Sequence, residues 1–131
     1  MKIVVIDGQG GKVGHAIVEA LKSHNSVYEI VAIGTNSAAT AKMLTAKADY
    51  GATGENALIV NTKDADYIIG PVGIIVADAL HGEISPAMAV AVGQSRAKKI
   101  LLPISRCSTF VAGVGNLSLS EYIGLAVQMV E

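Results

Sequence analysis

The sequence predicts a three-layer α/β fold, with a mostly parallel sheet of four or five strands between helices, and three observations point to it. The apolar segments Ile3–Ile6, Tyr28–Ile33, Asp66–Ile69 and Ile100–Ile104 lack the alternation of a sheet with one wet face. Strands covered on both faces read in that way. Turns rich in glycine or capping residues follow these segments, and helical periodicity follows the turns. The first fourteen residues compress the whole unit: an apolar run, Asp7, the cluster Gly8-Gln9-Gly10-Gly11, then Val13, Ile17, Val18 and Leu21 on one helical face.

Each element has its own grounds. Ile3–Ile6 is too short for a buried helix and is rich in β-branched residues. The first helix runs from Gly11 or Lys12 to Lys22, and Ser23-His24-Asn25-Ser26 turns the chain. His24 stands there where a cation suits a helix C-terminus. After the second strand, Tyr28–Ile33, Asn36 or Ser37 caps a helix from Ala38 to about Ala48. Its apolar side reads as Ala41, Leu44 and Ala48. Asp49–Ala57 is a second glycine-rich turn, from which Thr53 caps a short helix carrying Leu58, Ile59 and Thr62. Asp66–Ile69 is the third strand and stops at Gly70-Pro71-Val72-Gly73. Ile74–Leu80 has the composition of a strand, but it lies between a strand and a cap and is assigned as helix. Ser85-Pro86 opens a helix that reaches about Ser95. Ile100–Ile104 is the fourth strand, Thr109–Gly113 a short fifth, and Leu119–Val130 a closing helix capped by Ser118 or Ser120. The first strand is expected at the sheet centre, beside the second.

Composition narrows the function classes. A chain of 131 residues makes one domain, residues 1–131. No run of Lys or Arg is present to follow a phosphate backbone, so nucleic acid is not an expected partner. The single cysteine excludes an internal disulfide and a cysteine-cluster metal site. With no apolar run of membrane length and no basic-then-apolar leader, no membrane partner is expected and a cytoplasmic location is. Only 16% of residues are charged against 51% apolar. That balance leads to the expectation of a homo-oligomer, with Ile74–Leu80 as its apolar contact.

The candidate ligand site is the loop Gly8-x-x-Gly11-x-x-Gly14, with Gly10 as an additional glycine. Its spacing resembles the looser fingerprint of Rossmann-like dinucleotide-binding proteins: a glycine that turns, a glycine that admits phosphate, and a glycine that lets helix and strand close up. Gly11 takes the phosphate-facing role in that scheme, so a valine there is expected to leave the fold intact; Gly14 takes the packing role. Asp7 either holds Mg²⁺ through a phosphate or accepts backbone amides. No ribose acid ends the second strand, where Thr35 and Asn36 offer uncharged hydrogen-bonding groups. Gly70 and Gly73 offer a backbone wall on the same rim. Asp78, His81 and Glu83 bring two carboxylates and an imidazole together, with His81 a candidate for acid–base work. Arg106-Cys107 is a candidate activated thiol.

The segments Val5–Gly11, Gly34-Thr35-Asn36, Gly51–Ala57, Gly70–Ile74 and Gly82–Ala89 resemble, nearly end to end, those of a family of short bacterial proteins of unknown function. The resemblance implies a small Rossmann-like protein with a recurring Arg-Cys pair, matched by Arg106-Cys107, and it carries no activity with it. Two function classes follow. In the first, the chain binds a nucleotide or other phosphate-bearing small molecule at the first loop, with a nucleotide or NAD(P) as the cofactor type. In the second it is a non-catalytic oligomeric or regulatory module whose glycines are architectural. An NAD(P)-dependent oxidoreductase is the weakest reading, for want of the ribose acid and a substrate domain.

Overall fold

Burial on both faces organises the sheet around its first strand. The computed structural model describes residues 1–104 and 108–131. Strand β1 (Lys2–Asp7) leads into helix α1 (Lys12–His24), and β2 (Glu29–Gly34) into α2 (Ser37–Thr45). Then come β3 (Tyr50–Thr53), α3 (Glu55–Asn61), β4 (Tyr67–Pro71), a 3-10 turn at Val72–Ile75, α4 (Pro86–Gln94), β5 (Lys98–Leu102) and α5 (Leu119–Gln128). The strand order is β3-β2-β1-β4-β5, and every neighbouring pair is parallel. The first strand is central, as expected, and the chain reverses direction across the sheet between β1 and β4. Open α/β sheets keep their ligands at such a reversal, beyond the C-terminal ends of the strands.

Successive β1 side chains point to opposite faces, and each face has its own core. Ile3 and Val5 pack with Ile17 and Leu21 of α1, Met43 of α2 and Ile123 of α5. Val4 and Ile6 pack with Leu58 of α3 and with Met88 and Val92 of α4. Helix starts are chemically marked. Asn36 accepts from the Ala39 amide, Ser85 from Met88 with Pro86 following, and Ser118 from Glu121.

Four expectations need correction. Tyr50–Thr53 is not a turn but a strand at the sheet edge, and Gly54 rather than Thr53 precedes α3, while Thr53 bonds Thr40 at 2.7 Å. Helix α2 buries Ala39, Thr40 and Met43; Ala41 and Leu44 are exposed. Ile74–Leu80 is not a helix, because left-handed backbone at Asp78 and Leu80 breaks it after the 3-10 turn. Ile74 and Leu80 lie in the core, while Ile75 is 42% exposed, so only part of this segment is open to a partner. Thr109–Gly113 forms no strand, and Phe110 within it is 87% exposed.

The glycines of the first loop are where α1, α2 and β1 press together. Gly11 has φ of 75°, and a Cβ there would stand 2.8 Å from the Ala39 Cα of α2. A Cβ on Gly14 would stand 2.5 Å from Met43 Sδ and 2.8 Å from Asp7 Cβ. Gly11 therefore faces a neighbouring helix backbone, and a valine there breaks the packing that the sequence reading expected it to spare. Gly11→Ala is expected to lose about 1–3 kcal/mol of stability through left-handed strain and overpacking. Urea unfolding measures this, and an unchanged midpoint would remove the helix contact from the account.

Candidate functional site

Strand β1 carries Asp7 to its C-terminal end, where the residue is only 5% exposed. A buried carboxylate needs donors close by. Its Oδ1 accepts from the Gly8 amide at 2.8 Å and its Oδ2 from the Gly14 amide at 2.6 Å. Burial pushes its pKa up. The Gly14, Gly8 and Val13 amides pull it down, the Glu83 charge pushes it up again, and the net value lies above the ordinary aspartate range. Of the two roles open to Asp7, the structure displays the acceptance of backbone amides.

The loop uses much of its own donor capacity. The Gly11 amide bonds the Gly8 carbonyl at 2.9 Å, and the Gln9 amide bonds Glu83 at 2.8 Å. Among the described residues, no acceptor meets the amides of Gly10 and Lys12. Gly10 is exposed, and a Cβ there would have nothing within 4 Å. It is the open glycine of the loop.

The centre of the rim is a single carboxylate oxygen. Glu83 Oε1 accepts from the Thr35 hydroxyl at 2.5 Å, from Asn36 Nδ2 at 2.9 Å and from the Gln9 amide. These donors come from the loops after β1 and β2, whereas Glu83 arrives from the segment after β4. Asn36 Nδ2 also donates to the Gln9 carbonyl at 2.9 Å, which ties the two loops together. A Cβ on Gly8 would lie 2.6 Å from Thr35 Oγ1 and 2.9 Å from Glu83 Oε1, so only glycine leaves room for the cluster. Burial pushes the Glu83 carboxyl up, but the bonds from Thr35, Gln9 and Asn36, with the nearby His81, outweigh it. Its pKa lies below the ordinary glutamate range.

A strained backbone delivers Glu83. Asp78, Leu80 and His81 have φ of 67°, 56° and 56°, and Gly82 follows at 87°. Each non-glycine residue held there costs roughly 1–2 kcal/mol. Hydrogen bonds within the segment and the burial of Leu80 and Ile84 hold it in place, each large side chain contributing about 1.5–3 kcal/mol. The strap spanning residues 76–84 thus runs from the β4 side to the tip of β2.

The remaining candidates are dispersed. Gly70 lies within β4, where a Cβ would stand 2.5 Å from the Ile6 carbonyl oxygen, and Gly73 is covered by Ala79 and Leu80. Neither is open to a ligand. Asp78 and His81 are exposed, and among the described residues no three His, Cys, Asp or Glu side chains gather as a metal set. Arg106 and Cys107 lie outside the described residues. A cavity of about 330 Å³ between α3 and α4 and one of about 470 Å³ between α1 and α5 both lie away from the rim. The joint role of Thr35, Asn36 and Glu83 escapes local spacing because 47 and 48 residues separate the partners.

Comparison with family models matches residues 2–131 to a domain of unknown function, DUF3842. The chain belongs to that family. Comparison with curated proteins finds no match. Among solved structures, a dodecameric FMN-dependent UbiX-like decarboxylase from Escherichia coli O157:H7 is similar, with a TM-score of 0.51 and 19% identity. The match covers 98% of this chain and 75% of that one. At such identity the likeness is one of fold.

The cluster has a pH signature. Glu83 titrates lower in the folded chain than in the unfolded one, so the unfolded state binds more protons between the two values and stability rises with pH there. The contribution is present above the ordinary value of 4.5 and is lost as pH falls through the folded value. Thermal melts between pH 3 and 6 should therefore show a shallower acid loss for Glu83→Gln than for wild type. Parallel curves would show that Glu83 holds no such bonds in solution.

Proposed function

We propose that this protein binds a phosphate-bearing small molecule, a nucleotide being the favoured class, on the rim above β1 and β2. The observation that carries this reading is the convergence of Gln9 N, Thr35 Oγ1 and Asn36 Nδ2 on one anionic oxygen. Three donors arranged about one oxygen suit a phosphate as well as a carboxylate. The unengaged amides of Gly10 and Lys12, the open face of Gly10 and the Lys12 side chain add a place for further phosphate oxygens. The rim lies beyond the C-terminal ends of parallel strands, where open α/β sheets keep their ligands, and its Gln9 end adjoins the reversal between β1 and β4. The FMN dependence of a protein with this fold supports a ligand that carries phosphate.

Assembly belongs to the same reading. Strand β5 is a sheet edge, and Leu125 and Met129 of α5 stand exposed along a groove beside it. The dodecameric state of the FMN-dependent protein supports a homo-oligomer here. The packing roles of Gly11 and Gly14 favour the second reading, a non-catalytic module with architectural glycines. Ligand binding separates the two.

The test is calorimetric titration of wild type and Gly10→Val with inorganic phosphate, AMP, FMN and NADP. Gly10 has open space around it and no positive φ, so the valine should leave the circular dichroism spectrum and melting temperature nearly unchanged. Binding of at least one compound by wild type, weakened tenfold or more in Gly10→Val, is the expected result. Silence toward all four would favour the architectural module. Light scattering on the same samples should give a mass above that of one 13.4 kDa chain.

A further inference from the structure

We infer that the strap of residues 76–84 inhibits the rim from within, Glu83 occupying the place of the ligand's anion and being displaced when phosphate binds. The inference rests on the binding function proposed above and concerns how that site is regulated. Its basis is a coincidence of chemistry. The three donors at the tips of β1 and β2 that best suit an incoming oxyanion are the three that Glu83 Oε1 engages. No phosphate oxygen can share that position with a carboxylate.

The strap is built for a small local release. Leu80 and Ile84 are 3% and 0% exposed and anchor it on either side of the carboxylate. Between them, His81 and Gly82 face solvent, and Glu83 is only half-buried. Rotation of the Glu83 side chain toward solvent frees Thr35, Asn36 and Gln9 without moving either anchor. The second carboxylate oxygen, Oε2, accepts no bond among the described residues, so release breaks contacts at one oxygen only. Glu83 in its bound place also raises the pKa of Asp7 by its charge, so the position already holds an anion beside the buried aspartate.

An internal competitor lowers apparent affinity by the fraction of molecules in which it is released. Removing the carboxylate removes that competition. The experiment titrates wild type, Glu83→Ala and Glu83→Gln with inorganic phosphate by calorimetry, with melting curves as the control for folding. Glu83→Ala should bind phosphate at least tenfold more tightly than wild type. Glu83→Gln, nearly isosteric and uncharged, should fall between them, and its Gln9 amide resonance should move on phosphate addition. If Glu83→Ala fails to fold, the glutamine variant and that resonance carry the test alone. Equal affinity in all three proteins would overturn the inference while leaving phosphate binding at the rim intact. Weaker binding by the variants would also overturn it, because Glu83 would then contact the ligand rather than exclude it. Absence of binding in all three would defeat the binding function itself, and the inference with it.

Discussion

The carboxylate of Asp7 is the constraint on which the rim depends. Its two oxygens fasten the Gly8 and Gly14 amides to the end of the central strand, which fixes how the loop turns and where α1 begins. With α1 so placed, Gly11 and Gly14 lie against α2, and only glycine fits at either position. Helix α2 in turn starts at Asn36, whose side chain both caps it and donates to Glu83 and to the Gln9 carbonyl. One buried ion thus sets the sequence of contacts that ends at the surface cluster. Burial and the neighbouring Glu83 push its pKa up, against the amides that stabilise its charge.

The rim combines an anion-attracting backbone with two anions of the chain's own. Asp7 is internal and engages the amides of its loop, while Glu83 arrives on strained backbone and has one oxygen in use. Asp78, Leu80 and His81 are all left-handed, and of the three only Leu80 is buried. Their consequence is positional: the strap reaches across β1 to the tip of β2. Strain concentrated in this way marks segments whose placement matters more than their local stability. In the proposed function this placement sets how readily the rim accepts a ligand.

Much of the architecture is legible in the sequence, because buried parallel strands write themselves as continuous apolar runs. Ile3–Ile6, Tyr28–Ile33 and the start of Ile100–Ile104 fall on observed strands, and the Asn36, Ser85 and Ser118 caps are where short polar residues precede apolar periodicity. Strand β3 is not legible: Tyr50, Gly51 and Thr53 are exposed at an edge, and it exists because β2 offers an unpaired side. Ile74–Leu80 misleads for the opposite reason. Its apolar content is real, and Ile74 and Leu80 are buried, but they enter the core from a strap rather than a helix. Of the candidate residues, the structure brings some together and buries others. Gly8, Thr35 and Asn36 lie together around Glu83, while Gly11, Gly14, Gly70 and Gly73 lie against neighbouring backbone and side chains. Glu83 reaches the tip of β2 from across the sheet, a tertiary relation that no local spacing encodes.

The most direct test is a crystal structure determined at saturating inorganic phosphate. Phosphate is expected at the tips of β1 and β2, within hydrogen-bonding distance of Gln9 N, Thr35 Oγ1 and Asn36 Nδ2, with Glu83 turned to solvent. A rim without phosphate, with Glu83 still held by all three donors, would contradict this expectation.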